Sequence, residues 1–73
     1  MNQLWHHFEK RRYYRVYLIR DLWGQKCIVR SWGSLDTHSG GFKIMNLEES
    51  SFKEAIERIN RMRLKRGYVL VKG

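Results

Sequence analysis

The sequence contains no proline, a single cysteine and few acidic residues, and each shortage excludes a class of protein. Without proline or a low-complexity stretch there is no sign of a linker, so we expect residues 1–73 to form one domain. Cys27 stands alone, which rules out an internal disulfide and favours a reducing compartment. No apolar run is long enough to span a bilayer, and the first residues lack the apolar centre of a signal peptide. We therefore expect a cytoplasmic protein.

Motifs for catalysis and metal binding are also missing. His6, His7 and His38 do not have zinc-site spacing, because adjacent residues such as His6 and His7 point to opposite faces of a strand. Residues 36–39 include the residue types of a catalytic triad, but triad members normally come from separate rigid elements. There is no phosphate-binding glycine loop and no dinucleotide fingerprint. We predict that the protein is not an enzyme and uses neither a metal nor a cofactor.

The chain is instead rich in aromatic and basic residues. Aromatic residues make up 14% and hydrophobic residues 42%, which is enough to form a core. Lys and Arg number 15 against 7 Asp and Glu, giving a formal net charge of +8. Such a charge on a small domain attracts phosphate backbones, because each neutralised phosphate releases a counterion. It would also attract an acidic protein or an anionic membrane, or it could serve solubility alone. We place nucleic acid first and expect no membrane binding.

Strands are predicted from alternation and β-propensity. Residues 13–21 are dense in aromatic and β-branched side chains, and a period of two places Tyr14, Val16 and Leu18 on an inward face. A turn follows, in which Gly24 is free to adopt a positive φ. Residues 33–41 are predicted to form a loop because they are rich in Ser, Asp, Thr and Gly. The further predicted strands are 25–32, 42–47 and 68–71, with a weak strand pattern at 4–10.

One helix is predicted near the C-terminal end. Ser51 and Glu54 have capping-box spacing, in which the Ser hydroxyl accepts from the amide three residues on and the Glu reaches back. Gly67 can end the helix in the left-handed conformation. The apolar residues recur at steps of three and four: Phe52, Ala55, Ile56, Ile59 and Met62. Together these elements predict an α+β fold, a small antiparallel β-sheet of four or five strands with one α-helix packed across one face.

The order of these motifs resembles the WGR domain. An aromatic strand begins at Tyr13, a turn follows at 20–24 as in free-standing bacterial members, and the next strand ends in Trp32-Gly33. A helix containing Ala55-Ile56 then leads to Lys65-Arg66-Gly67-Tyr68. The resemblance extends over residues 11–71, and the order and spacing of the pieces make it fairly specific.

The resemblance implies a function for Trp32. The best-known members of the family are the DNA-damage-activated poly(ADP-ribose) polymerases, where the domain is non-catalytic and holds DNA near a strand break. There the motif Trp packs on the sugar-phosphate backbone at the DNA end. The motif Arg, which makes interdomain contacts, is replaced here by Ser34, and the family Gly that follows it is missing. The resemblance therefore implies DNA binding but not a relay to a polymerase domain.

The candidate binding residues each have a structural alternative. Trp32 at a strand end is either a packing residue or a surface for a sugar or base, and with the resemblance included we favour contact. Arg30 is expected on the same strand face as Trp32, and Gly33 allows a backbone to approach closely. The other candidates are basic residues that either contact phosphate or serve as solvated charges, and at the helix end as compensation for the dipole. They are Arg11, Arg12, Lys43, Lys65 and Arg66.

The sequence thus predicts a monomeric, non-catalytic domain that binds nucleic acid, with DNA preferred. It would contact the sugar-phosphate backbone, at strand ends or nicks by resemblance, with little sequence specificity. The alternative is a protein-interaction module that docks an acidic partner.

Overall fold

The structure, a computed structural model, describes residues 2–46 and 51–73. Five strands form one antiparallel sheet in the order β4-β3-β2-β1-β5. The α+β prediction is confirmed. The weak pattern at 4–10 overlaps a strand that ends at His7 and has a neighbour on each side, whereas residues 8–10 form a turn. The elements are β1 (Asn2–His7), β2 (Arg12–Arg20), β3 (Lys26–Ser34), β4 (Gly40–Asn46), α1 (Phe52–Lys65) and β5 (Val69–Lys72).

The core lies between the sheet and α1. In β2, Tyr14 and Val16 are buried while Arg15 between them is exposed, so the predicted alternation is confirmed. The sheet residues Trp5 and Ile28 join this core, and α1 contributes Ala55. We call the side of the sheet that carries these residues the helix side and the opposite side the outer side.

The helix packs as predicted over its first turns and differs at both ends. Phe52, Ile56 and Ile59 pack on the core, but Met62 is 42% exposed, so its place in the packed face was wrong. The capping box is also wrong. Ser51 has helical backbone angles (φ −96°, ψ −7°) and makes no side-chain cap hydrogen bond, whereas a capping Ser needs an extended backbone. At 14 residues, α1 is too short and too polar to cross a membrane.

Two predicted glycine turns are confirmed. Gly24 has φ +78° in the β2–β3 turn, where the Asp21 carboxylate accepts from the amides of Trp23 and Gln25 at 2.9 and 2.8 Å. Gly67 has φ +87° and ends α1. Its amide donates to the Leu64 carbonyl, and the next amide donates to the Arg63 carbonyl, which together form a Schellman motif.

The predicted loop at 33–41 is shorter than expected. β3 continues to Ser34 and β4 begins at Gly40, with Gly33 paired to Gly40. This pairing needs glycine, because the two strands are too tightly packed here for a side chain. A Cβ on Gly33 would lie 2.6 Å from the Ser39 carbonyl oxygen. The third predicted strand extends to Leu47, which lies outside the described residues.

Candidate nucleic-acid interface

A groove on the helix side is bounded by the C-terminal turn of α1, the start of β2 and the end of β3. Its volume is about 570 Å³. We call it the basic groove, because four cations line it. Four aromatic residues form part of its walls. The cations are Lys10, Arg12, Arg63 and Arg66, and the rings are Tyr13, Tyr14, Trp32 and Tyr68.

Arg63 is held in the wall of the basic groove by aromatic rings. Its guanidinium carbon lies 4.0 Å from the ring centroid of Tyr14 and 4.9 Å from that of Tyr68. Tyr14 is buried and the two tyrosines contact each other edge to face, so the rings form a fixed support. A guanidinium within about 6 Å of a ring face is attracted by the ring quadrupole. The positive charge is therefore fixed in position before any ligand arrives.

The cations of the basic groove lack acidic partners within the described residues. The one ion pair found in residues 2–46 and 51–73 joins Arg11 to Asp36, outside the groove. No carboxylate from the same ranges lines the groove. Mutual repulsion between uncompensated cations is relieved when an anion binds between them. The groove therefore favours a ligand with several negative charges.

Trp32 lies at the rim of the basic groove rather than in the core. It is 39% exposed, and its ring is nearly parallel to that of Tyr14, with centroids 6.3 Å apart and an interplanar angle of 16°. On β4, Gly41 leaves room for the ring, because a Cβ there would lie 3.2 Å from Trp32 Cζ2. An indole held at a rim in this way keeps part of its surface free for a ligand.

Three other predicted residues also line the groove: Gly33, Arg12 and Arg66. The atoms that approach Gly33 closely belong to the protein. A Cβ at Gly33 would lie 3.0 Å from both Cε1 and Oη of Tyr13, whose side chain is on the outer side. Gly33 therefore brings Tyr13 and the Ser39 backbone against the end of β3.

Arg30 and Lys43 lie beside the groove rather than in it. They are directly opposite each other in the β3–β4 ladder. Both lie on the helix side with Trp32, which confirms the prediction that Arg30 and Trp32 share a strand face. Like charges directly opposite in a sheet are destabilising. This Arg30–Lys43 pair extends the positive surface from Trp32 toward the β4 edge.

The remaining two predicted residues, Arg11 and Lys65, are also outside the groove. The Arg11 Nε donates to both carboxylate oxygens of Asp36, at 2.8 and 2.9 Å, and its carbonyl accepts from the Leu35 amide. Arg11 thereby joins the β1–β2 turn to the loop after β3, and its contact with phosphate stays a prediction. Lys65 is exposed in the last turn of α1 and does not line the groove.

Two cations and three rings of the groove were not among the predicted site residues. One of the cations is Arg63, which follows Ile59 by four residues and therefore lies on the packed face of α1. Lys10 is held by its turn, where its amide donates to His7 Nδ1 at 3.1 Å. Tyr13, Tyr14 and Tyr68 were assigned to strands without a binding role. The described residues contain no group of three or more potential metal ligands.

We compared the chain with models of known protein families, with curated proteins and with solved structures, and found no match. Function is therefore inferred from the chemistry of the basic groove and the surface around it.

Proposed function

We propose that this chain is a non-catalytic nucleic-acid-binding domain that holds DNA by its sugar-phosphate backbone in the basic groove. The observation that carries the proposal is the groove itself, with four cations that have no acidic partner among the described residues and Trp32 at the rim. The resemblance to the WGR domain supports DNA as the polymer and strand ends or nicks as its preferred form.

Binding proceeds in two physical steps. The net charge of +8 concentrates the polyanion at the surface, and the groove cations then hydrogen-bond to phosphate oxygens. Arg63 serves as a fixed point of positive charge, since the rings of Tyr14 and Tyr68 hold its guanidinium. Trp32 packs on a sugar or a terminal base. Such contacts position a strand without distinguishing its sequence.

An acidic protein is the second candidate, because the same cations would accept carboxylates. A pull-down from cell extract with and without nuclease separates the two. We expect the captured material to be nucleic acid and to disappear with nuclease. A partner that is retained after nuclease treatment and competes with DNA would favour protein docking.

The direct test measures fluorescence anisotropy with blunt, nicked and continuous duplexes of one sequence over a salt series. We expect the log–log slope of affinity against salt to be near −0.9 for each phosphate engaged, with about three to six phosphates engaged. The resemblance predicts tighter binding to the blunt and nicked duplexes. Absent binding at low salt, or an affinity that does not change with salt, would contradict the proposal.

A pair of double variants tests the groove itself. Arg12→Gln/Arg66→Gln removes two groove cations, and Lys53→Gln/Arg58→Gln removes two exposed cations of α1 away from the groove. Each double variant lowers the net charge by two, from +8 to +6. If both groove cations engage phosphate, the first variant flattens the salt slope by about 1.8, and the control changes it much less. Equal effects would mean that net charge alone attracts DNA.

A further inference from the structure

The outer side of the sheet is not covered by the helix and carries a group of aromatic residues. Tyr13 and Tyr17 of β2 project to this side, because they alternate with the core residues Tyr14 and Val16. Phe42 on β4 joins them and is 69% exposed. Tyr13 and Tyr17 are half-buried, so Phe42 presents the most exposed ring of this group. Aromatic rings that keep part of their surface exposed offer a face to a ligand.

A second cavity of about 490 Å³ lies among these rings, and we call it the outer pocket. Its volume falls within the range of about 300–1,000 Å³ typical of small-ligand sites. Hydrogen-bonding groups stand beside the rings, and no carboxylate lines the pocket in the described part of the chain. The lining residues are Tyr13, Tyr17, Ser31, Phe42 and the segment 37–41, which includes Thr37, His38 and Ser39.

This chemistry fits a nucleobase. A base presents a flat π-face to an aromatic ring and polar edges to hydroxyl or imidazole groups. Stacking on protein aromatic rings tolerates any base, in keeping with a surface that lacks a recognition helix. Bases within a duplex are already stacked on their neighbours and paired, so they are not free to enter the pocket. The pocket therefore suits an unpaired base.

The outer pocket adjoins the basic groove. The two cavities share Tyr13, Thr37, Ser39 and Gly40, so they meet where the end of the β3–β4 hairpin separates the helix side from the outer side. A strand whose phosphates lie in the groove therefore needs only to pass this hairpin end to place its next base in the pocket.

Charge also favours an anionic strand over a second copy of the chain. Arg15 is exposed between Tyr13 and Tyr17 on the same side of the sheet. Two copies apposed through this surface would bring these arginines together, each on a chain of net charge +8. A polyanion meets no such repulsion.

We propose that the outer pocket receives an unpaired base of the strand held in the basic groove, so that the protein prefers duplex ends with a single-stranded overhang. The inference rests on the proposed DNA binding and names the form of end that is bound.

Three duplexes that share one sequence test it: one with flush ends, one with a short 5′ overhang and one with a short 3′ overhang. Anisotropy is measured for the parent, for Phe42→Ala and for Phe8→Ala. Phe8 is a matched control, because it is 60% exposed but lies in the β1–β2 turn outside the outer pocket. We expect the parent to bind at least one overhang about 5- to 150-fold more tightly than the flush duplex.

Phe42→Ala should remove that preference and leave flush-end affinity unchanged, while Phe8→Ala keeps both. A parent that binds all three duplexes equally overturns the pocket and leaves DNA binding intact. Equal weakening of every duplex by Phe42→Ala, with an unchanged melting temperature, also overturns the pocket as a separate site. A parent that binds none of the duplexes overturns the proposed function itself.

Discussion

The three tryptophans form a graded series that tests the role of Trp32. Trp5 is 2% exposed in the core, Trp32 is 39% exposed at the groove rim, and Trp23 is 86% exposed in the β2–β3 turn. Alanine at each position removes the same side chain from a different environment. The series therefore separates loss of packing from loss of contact.

The expected cost of Trp32→Ala follows from its exposure. About three-fifths of the residue is buried, so the change should cost about 2–3 kcal/mol, against about 3–5 kcal/mol for a fully buried ring. A domain of this length has a free energy of unfolding of about 4–11 kcal/mol, so the variant should stay folded. Its melting temperature should fall by about 10–20 °C. Loss of stacking on the strand should weaken binding by about 1–3 kcal/mol, or about 5- to 150-fold.

Thermal melts and anisotropy on a flush duplex provide both measurements. Trp23→Ala should match the parent in each, and Trp5→Ala should lose the most stability, about 3–5 kcal/mol. Trp32→Ala should have a lower melting temperature than the parent. At a temperature where the variant is folded, it should also bind the duplex far more weakly than the parent does. Parental affinity in this variant would remove Trp32 from the interface and leave Arg12, Arg63 and the Arg30–Lys43 pair to hold the strand. A variant as unstable as Trp5→Ala would refute the rim position.

Three further predictions concern specificity and backbone geometry. Unrelated duplexes of equal length should bind within about tenfold of one another in anisotropy, because no described element resembles a recognition helix; a thousandfold preference would contradict this. Gly33→Ala should lower stability by about 1–3 kcal/mol in denaturant melts, since its Cβ meets the Ser39 carbonyl; parental stability would refute the tight packing. Gly24→Ala should lower the free energy of unfolding by about 1–2 kcal/mol, because alanine is strained at its positive φ. Gly67→Ala should lower it further, because a Cβ there would also lie 3.1 Å from His7 Nε2. Equal losses of stability in the two variants would argue against the His7 contact.

Local patterns in the sequence predicted much of the fold. The alternation of Tyr14, Val16 and Leu18 identified the core side of β2, since a period of two is a property of the strand backbone itself. The positions of Gly24 and Gly67 marked turns because few residues other than glycine adopt a positive φ without strain. Such features depend only on neighbours along the chain.

The features that were missed depend on residues distant in sequence. Gly33 and Gly40 were assigned to a loop, but they extend the β3–β4 ladder because Tyr13 and the hairpin backbone pack against them. Arg63 lies on the packed face of α1 because Tyr14 and Tyr68 provide two rings for its guanidinium, and those rings come together only in the folded sheet. Of the predicted site residues, Trp32, Gly33, Arg12 and Arg66 line the groove.

The position of β5 has a consequence for the order of folding. Leu4 pairs with Lys72, so the β1–β5 ladder joins segments almost a whole chain length apart, and its closure entropy is the largest in the sheet. The apolar residues of β5 are only about half buried, with Val69, Leu70 and Val71 exposed to 53%, 44% and 48%, so burial offsets only part of that cost. We expect β5 to dock last and to open first, with the fastest hydrogen exchange in the sheet. Tyr68 directly precedes β5 and holds Arg63, so a strand bound in the groove should slow exchange at the far edge of the sheet.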